Sequence, residues 1–168
     1  TLRDGSVLRL GQSSKLRLKM AKTQGKRRKK VKARLFIGRV WASVTSFFGG
    51  KDNDFEVETD NAVAGVRGTR FSASTSEQGD TTVKVYEGKV LVSNEPTYQV
   101  KGHSKDNRVE VAGPQEISQD EWESLVAGAM QFIRVSKSGA MSEPEGFETA
   151  QSDNAWEAWN LARDAERD

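Results

Sequence analysis

Cysteine is absent from the 168 residues, histidine occurs once, at position 103, and proline three times. Without cysteine there is no disulfide framework, no thiol nucleophile and no Cys-ligated zinc or iron–sulfur centre. One histidine excludes a His-rich metal site and a two-histidine mechanism. No run of about 18 apolar residues occurs, so the sequence offers no candidate for a membrane-spanning helix. It begins at Thr1 rather than Met. The chain therefore reads as a mature fragment, with any export signal, lipid anchor or membrane helix expected upstream.

The usual signatures of catalysis are missing as well. There is no nucleophile elbow, Walker loop, dinucleotide glycine pattern or zincin helix. The stretch KDNDFE, with Asp52, Asn53 and Asp54, resembles a calcium loop only faintly. It lacks the turn glycine and the distal bidentate glutamate that such a loop needs. His103 sits in a polar turn, KGHSKDN, and reads as a solvated residue. The expectation is a non-enzymatic protein with no catalytic residue, no metal ligand and no cofactor.

What the chain does have is charge, unevenly placed. There are 26 Lys plus Arg against 24 Asp plus Glu. Residues 1–40 hold fourteen of the bases and one acid, Asp4, so the rest of the chain is net acidic. The densest run is residues 22–34, KTQGKRRKKVKAR, which includes Lys26, Arg27, Arg28, Lys29 and Lys30. Such asymmetry marks either a solvated face or a binding surface. The plainest reading is a long solvated loop between two strands. An acidic protein surface is the next, and those five residues are candidate partner contacts. Nucleic acid is disfavoured, because no aromatics interleave to stack on bases. An apolar face for a membrane surface is missing too.

Four Trp and seven Phe argue for a packed core. Apolar residues alternate with polar ones in short runs, the mark of strands with one buried face. The runs are Val7–Leu10, Leu16–Met20, Ala33–Ile37, Val40–Val44, Phe55–Val57, Ala62–Val66, Phe71–Ser74, Val83–Tyr86 and Val90–Val92, then Tyr98–Val100 and Val109–Val111. Turn signals such as Asp60-Asn61 and Gly79-Asp80 separate them. FIGRVWASV, residues 36–44, resembles YEGKVLVSN, residues 86–94. In both, an aromatic stands two residues before a glycine, and the glycine is placed to bend a strand between layers.

After Pro114 the pattern changes. Ser118 and Glu121 form a capping box. Trp122, Leu125, Val126, Ala129, Phe132 and Ile133 then follow at helical spacing. A second helix is expected at about 153–167. Its Trp156 and Trp159 are candidate contacts, either docking on the β-domain or engaging a partner. The predicted architecture is mainly β. It has an all-β domain over 1–113, solenoid- or sandwich-like, built of short antiparallel strands with glycine bends. C-terminal α-helices occupy 114–168, with a polar linker at about 136–150.

The most specific stretch is residues 55–94. Glu56, Val57, Thr59, Ala62, Val63, Ala64, Val66, Arg67, Gly68, Thr69 and Phe71 stand in its first half. Thr82, Val83, Val85, Glu87, Gly88, Val90 and Val92 follow in its second. This pattern resembles the FecR domain family, and the opening DGSVLRLGQSSKLRL resembles that family's first strands. The resemblance spans about residues 2–94. It implies an all-β fold not known for catalysis, placed in the periplasm or at the cell surface of a bacterium.

Many such proteins are envelope components whose β-domain serves as a scaffold. The leading expectation is accordingly an envelope protein acting by protein–protein contact, with an envelope partner or with itself in a homo- or hetero-oligomer. The best-known members instead relay a signal from an outer-membrane transporter to a sigma-factor regulator, which is the alternative. A binder of nucleic acid or anionic glycan through residues 22–34 is the second alternative. Gly65, Arg67, Gly68, Thr69, Phe71, Glu87 and Gly88 are assigned structural roles. Gly65 and Gly68 suggest a closely approached backbone. Arg67 is expected to pair with a carboxylate such as Glu56, Glu58 or Glu87, or to bond backbone carbonyls at a bend.

Overall fold

The computed structural model describes residues 1–2, 5–24, 28–45, 53–66, 68–94, 129–148 and 155–167. Eight strands follow the alternating runs closely. They are β1 (Val7–Leu10), β2 (Lys15–Gln24), β3 (Arg28–Ser43), β4 (Asn53–Glu58), β5 (Ala62–Val66), β6 (Arg70–Thr75), β7 (Thr81–Glu87) and β8 (Val90–Asn94). Two more, β9 (Gln131–Val135) and β10 (Glu145–Gly146), precede helix α1 (Ala155–Ala165).

Strand β3 organises the molecule because it runs through two layers. Its first half pairs with β2 antiparallel and with β4 parallel. Its second half pairs with β1 and β6, both antiparallel. The turning point is Gly38, at φ +88°, where a side chain would meet the backbone of Ser14. Gly88 repeats the device at φ +81°, carrying the chain from β7 in one layer to β8 in the other. Both conformations are open to glycine and costly for other residues. The two similar segments are thus two corners of one curled sheet, and the architecture is sandwich-like.

One layer is β10-β9-β7-β6-β3-β1 and the other β2-β3-β4-β5-β8. Inward residues of both form a single core. Leu35, Phe55, Val57, Val90 and Val92 come from the second layer, and Val40, Phe71, Val83, Val85 and Ile133 from the first. At 25–30 cal/mol per Å² of apolar surface removed from water, such a core dominates the folding energy.

Three expectations are corrected. The basic run is not a long loop: residues 22–24 end β2 and 28–34 open β3, paired from Gln24↔Arg28 onward. Phe132 and Ile133 do not close a helix, because Gln131–Val135 is a strand paired with β7. The segment 136–150 is not a plain linker in its described part. Ser136 and Gly139 make the same turn as Ser76 and Gly79, each serine Oγ accepting from the amide four residues on at 3.1 Å. That turn folds the chain back so that Met141 and then β10 lie against β9. The strands expected at 98–100 and 109–111, the capping box at Ser118 and Glu121, and His103 lie outside the described residues.

Asn61 also exceeds its expected role as a turn residue. It is buried, and its Nδ2 donates to the carbonyls of Ser136 at 2.6 Å and Val135 at 2.9 Å. The Thr81 hydroxyl lies 2.6 Å from its Oδ1. One side chain therefore ties the β4–β5 turn to the ends of β7 and β9, across the two layers.

Candidate interaction surface

The outward face of the first layer is unusual in what it carries. Strand register places Arg9 beside Trp41, Trp41 beside Ser72, Ser72 beside Lys84, and Lys84 beside Phe132. Period-two alternation sends all five outward, since Val40, Ala42, Phe71, Ala73, Val83 and Val85 fill the core. Tyr86 stands next to Trp41 with ring centroids 4.6 Å apart, and Phe147 meets Tyr86 edge-on at 5.3 Å. Arg134 lies over Phe132 and Lys84 over Phe147. Cations and aromatic rings thus interleave across the face, and Phe132 and Phe147 each support a neighbouring charge.

Helix α1 covers part of this face, and it does so with its polar side. Glu157, Asn160 and Asp164 recur at helical spacing and are its buried residues. Asp164 is 2% exposed. It accepts from Arg9 Nη2 at 2.6 Å and from the Trp41 indole N–H at 2.7 Å. Arg9 Nη1 also reaches Asn160 Oδ1 at 3.3 Å. Lys84 Nζ donates to Glu157 at 3.0 Å. Acidic groups are buried this deeply only when paired. Burial, and after it the neighbouring Glu157 carboxylate, hold the Tyr86 hydroxyl well above the usual tyrosine range. That hydroxyl makes no geometrically complete hydrogen bond.

The two tryptophans play lesser parts in this docking. Trp156 is half-buried under the Arg39 guanidinium, 4.6 Å from its ring centre. Trp159 is 53% exposed, with Arg9 at its ring face, 5.8 Å away. Between α1 and the β9–β10 hairpin a cleft of about 530 Å³ stays open, lined among others by Arg39, Lys84, Arg134, Phe147 and Trp156.

The second layer carries a separate basic patch. Lys15, Arg17 and Arg34 all sit within 5.7 Å of the Phe36 ring centre. Leu18 and Ile37 are exposed on the same β2–β3 pair. Lys26 and Arg27 lie outside the described residues. The backbones of Arg28, Lys29 and Lys30 continue β3 away from this patch.

Residues 1–91 match the family described as FecR protein. The chain belongs to the FecR family. No curated protein matches it. Among solved structures, this chain is similar to two crystal structures, each of a candidate anti-sigma factor from Parabacteroides distasonis. For the first, at 1.65 Å resolution, the TM-score is 0.58 at 18% identity, covering 95% of this chain and 58% of the other. For the second, at 2.50 Å, it is 0.57 at 17%, covering 99% and 67%. This chain thus spans somewhat over half the length of the first of these. At such identities the likeness is one of fold.

The FecR motif residues divide by role. Phe71 is fully buried in the core, and Thr69 is buried at the β3–β6 edge with its carbonyl accepting from Val44 N at 2.8 Å. Gly68 has φ +58°, and Gly88 packs so close to Thr69 and Gly68 that no side chain fits. Gly65 departs from the expectation: nothing lies within 4 Å of where its Cβ would stand. Arg67 lies outside the described residues. Two carboxylates expected to pair with it have other cations, since Lys32 contacts Glu56 and Arg70 meets Glu87 at 2.8 Å. Among the described residues, no helix is long and apolar enough to cross a membrane.

The outer-face site itself was legible only in part. Trp156 and Trp159 mark α1 in the sequence, but nothing local except spacing marks Glu157 and Asp164 as buried or Arg9, Trp41 and Lys84 as their partners. The available signal was the spacing of Glu157, Asn160 and Asp164, three polar residues on one helical stripe.

Proposed function

We propose that this chain is a non-catalytic signal-relay module of the bacterial envelope. It works in the periplasm, by protein contact, as part of a sigma-factor regulator that responds to an outer-membrane transporter. The observation that carries this reading is the FecR match over residues 1–91. The fold shared with candidate anti-sigma factors supports it. So does the distribution of contact chemistry. A relay needs two addressable surfaces on one rigid body. The sandwich presents a cation–aromatic face on its first layer and the Phe36 patch on its second.

A permanent scaffold within an envelope assembly is the second reading. It is favoured by Leu18 and Ile37, both exposed on the β2–β3 pair, which suit a lasting contact better than a solvated strand pair. In-cell crosslinking of the tagged full-length protein, followed by mass spectrometry, separates the two. Recovery of a sigma regulator together with an outer-membrane transporter is expected for the relay. Stoichiometric recovery of other envelope proteins alone selects the scaffold. Recovery of nucleic acid or glycan without protein overturns both.

A further inference from the structure

Helix α1 is held to the sheet by the kind of contact that can be exchanged. Its buried side is Glu157, Asn160 and Asp164, while Trp159 stays half in solvent. A helix of eleven residues has little stability of its own. Buried ion pairs add little net energy, because desolvation of both partners offsets their attraction. What the contact has is complementarity. Arg9 and Trp41 donate to one carboxylate, and Lys84 to the other, seven positions earlier on the same helix. Two turns of helix separate the two grips. The sheet face is therefore a two-point receptor for an acidic helix, and any helix with carboxylates at that spacing meets the same donors.

We infer that the outer face of β1, β3 and β7 is a docking site for an acidic helix of a partner protein, and that α1 fills it until that helix displaces it. The occupant is specified by charge complementarity: two carboxylates seven residues apart, with an aromatic residue at the flank to lie over Arg39 as Trp156 does. This rests on the relay reading for its biological use, since displacement of α1 would be the change passed on. The surface chemistry stands apart from that reading. While α1 is docked, the apparent affinity of a competitor falls by the fraction of time that the face is free, on the order of a hundredfold if it is free one time in a hundred.

The test uses the full chain and a labelled synthetic peptide of residues 153–168 as the stand-in helix. Binding is followed by fluorescence anisotropy to the wild type and to an E157K/D164K variant, whose own helix is repelled by Arg9 and Lys84. The peptide should bind the variant at least about tenfold more tightly than the wild type. It should lose affinity as salt rises, and fail to bind when it carries the same two lysines. Equal binding to both proteins, or equal binding of the lysine peptide, overturns the inference. If the variant does not fold, hydrogen exchange on the wild type decides. Saturating peptide should speed exchange in α1 and leave β5 and β8 unchanged, and an unaltered α1 refutes displacement. Failure to recover a sigma regulator in cells would remove the relay and leave this result intact. Failure of the peptide would remove the docking site and leave the relay open.

Discussion

The indole N–H of Trp41 donates to a carboxylate oxygen of Asp164 at 2.7 Å, joining residues 123 positions apart. Trp41 is fully buried on the face of β3 turned away from the core, so helix α1 and not the sandwich supplies its cover. The net-basic N-terminal stretch and the net-acidic remainder of the chain meet here, in Arg9 with Asp164, while Lys84 with Glu157 is a pair within the remainder itself. Part of the charge asymmetry is thus an internal contact.

Replacing Trp41 with Phe keeps an aromatic ring against Tyr86 but removes the donor to Asp164. A buried carboxylate oxygen is left short of a partner, and the smaller ring leaves space. A loss of about 2–3 kcal/mol is expected. Tyr86→Phe, by contrast, removes a buried hydroxyl that makes no complete hydrogen bond, and should stay within about 1 kcal/mol of wild type. Urea midpoints of the two variants check the contrast. Equal losses would mean that the indole N–H contributes nothing of its own.

Asn61 gives a second separation. Asn61→Ala strips partners from the carbonyls of Val135 and Ser136 and from the Thr81 hydroxyl, all at or near the seam between the layers. The expected cost is about 2–4 kcal/mol, large for a residue in a turn. Asp60→Ala next to it removes only an exposed pair with Arg34 and should change stability by less than about 1 kcal/mol. Thermal melts of both variants read the difference.

The sequence made the strands visible and hid the non-local decisions. Alternation around Val40, Phe71 and Val83 fixes which face is buried, because each residue's neighbours two positions away already show the pattern. Gly38 and Gly88 were readable as corners from their shared context. Gln131–Val135 was not: Phe132 and Ile133 complete a helical spacing from Trp122, and only the exposed edge of β7 turns the segment into a strand. Asn61 looked like any turn asparagine, since its partners come from β7 and from the end of β9. The buried side of α1 escaped for a related reason. Tryptophans advertise burial, whereas Glu157 and Asp164 are buried only because Lys84, Arg9 and Trp41 await them.

Three glycines in the chain should respond with opposite signs. At Gly38 and Gly88 an added methyl meets positive φ and a close backbone. Gly38→Ala and Gly88→Ala are each expected to cost more than about 1 kcal/mol. Gly65 lies mid-strand with ordinary φ and open space above it. There Gly65→Ala should stabilise by about 0.4–1 kcal/mol through the unfolded state. A destabilised Gly65→Ala would mean that something covers that face of β5 in solution.

Tyr86 sets the alkaline limit. Burial first, and Glu157 second, raise its folded pKa above the value of about 10 that it has when unfolded. A raised value means that the neutral form is favoured by folding. Its contribution is fully present below about pH 10 and is lost as pH rises beyond, because the unfolded chain ionises while the folded one resists. Melting temperature should therefore fall more steeply above about pH 10 in the wild type than in Tyr86→Phe, and the two curves should run parallel below it. Measuring both proteins in the same buffers isolates the hydroxyl, the one group in which they differ. Parallel curves across the whole range would place the Tyr86 hydroxyl in contact with water and separate it from the Glu157 carboxylate.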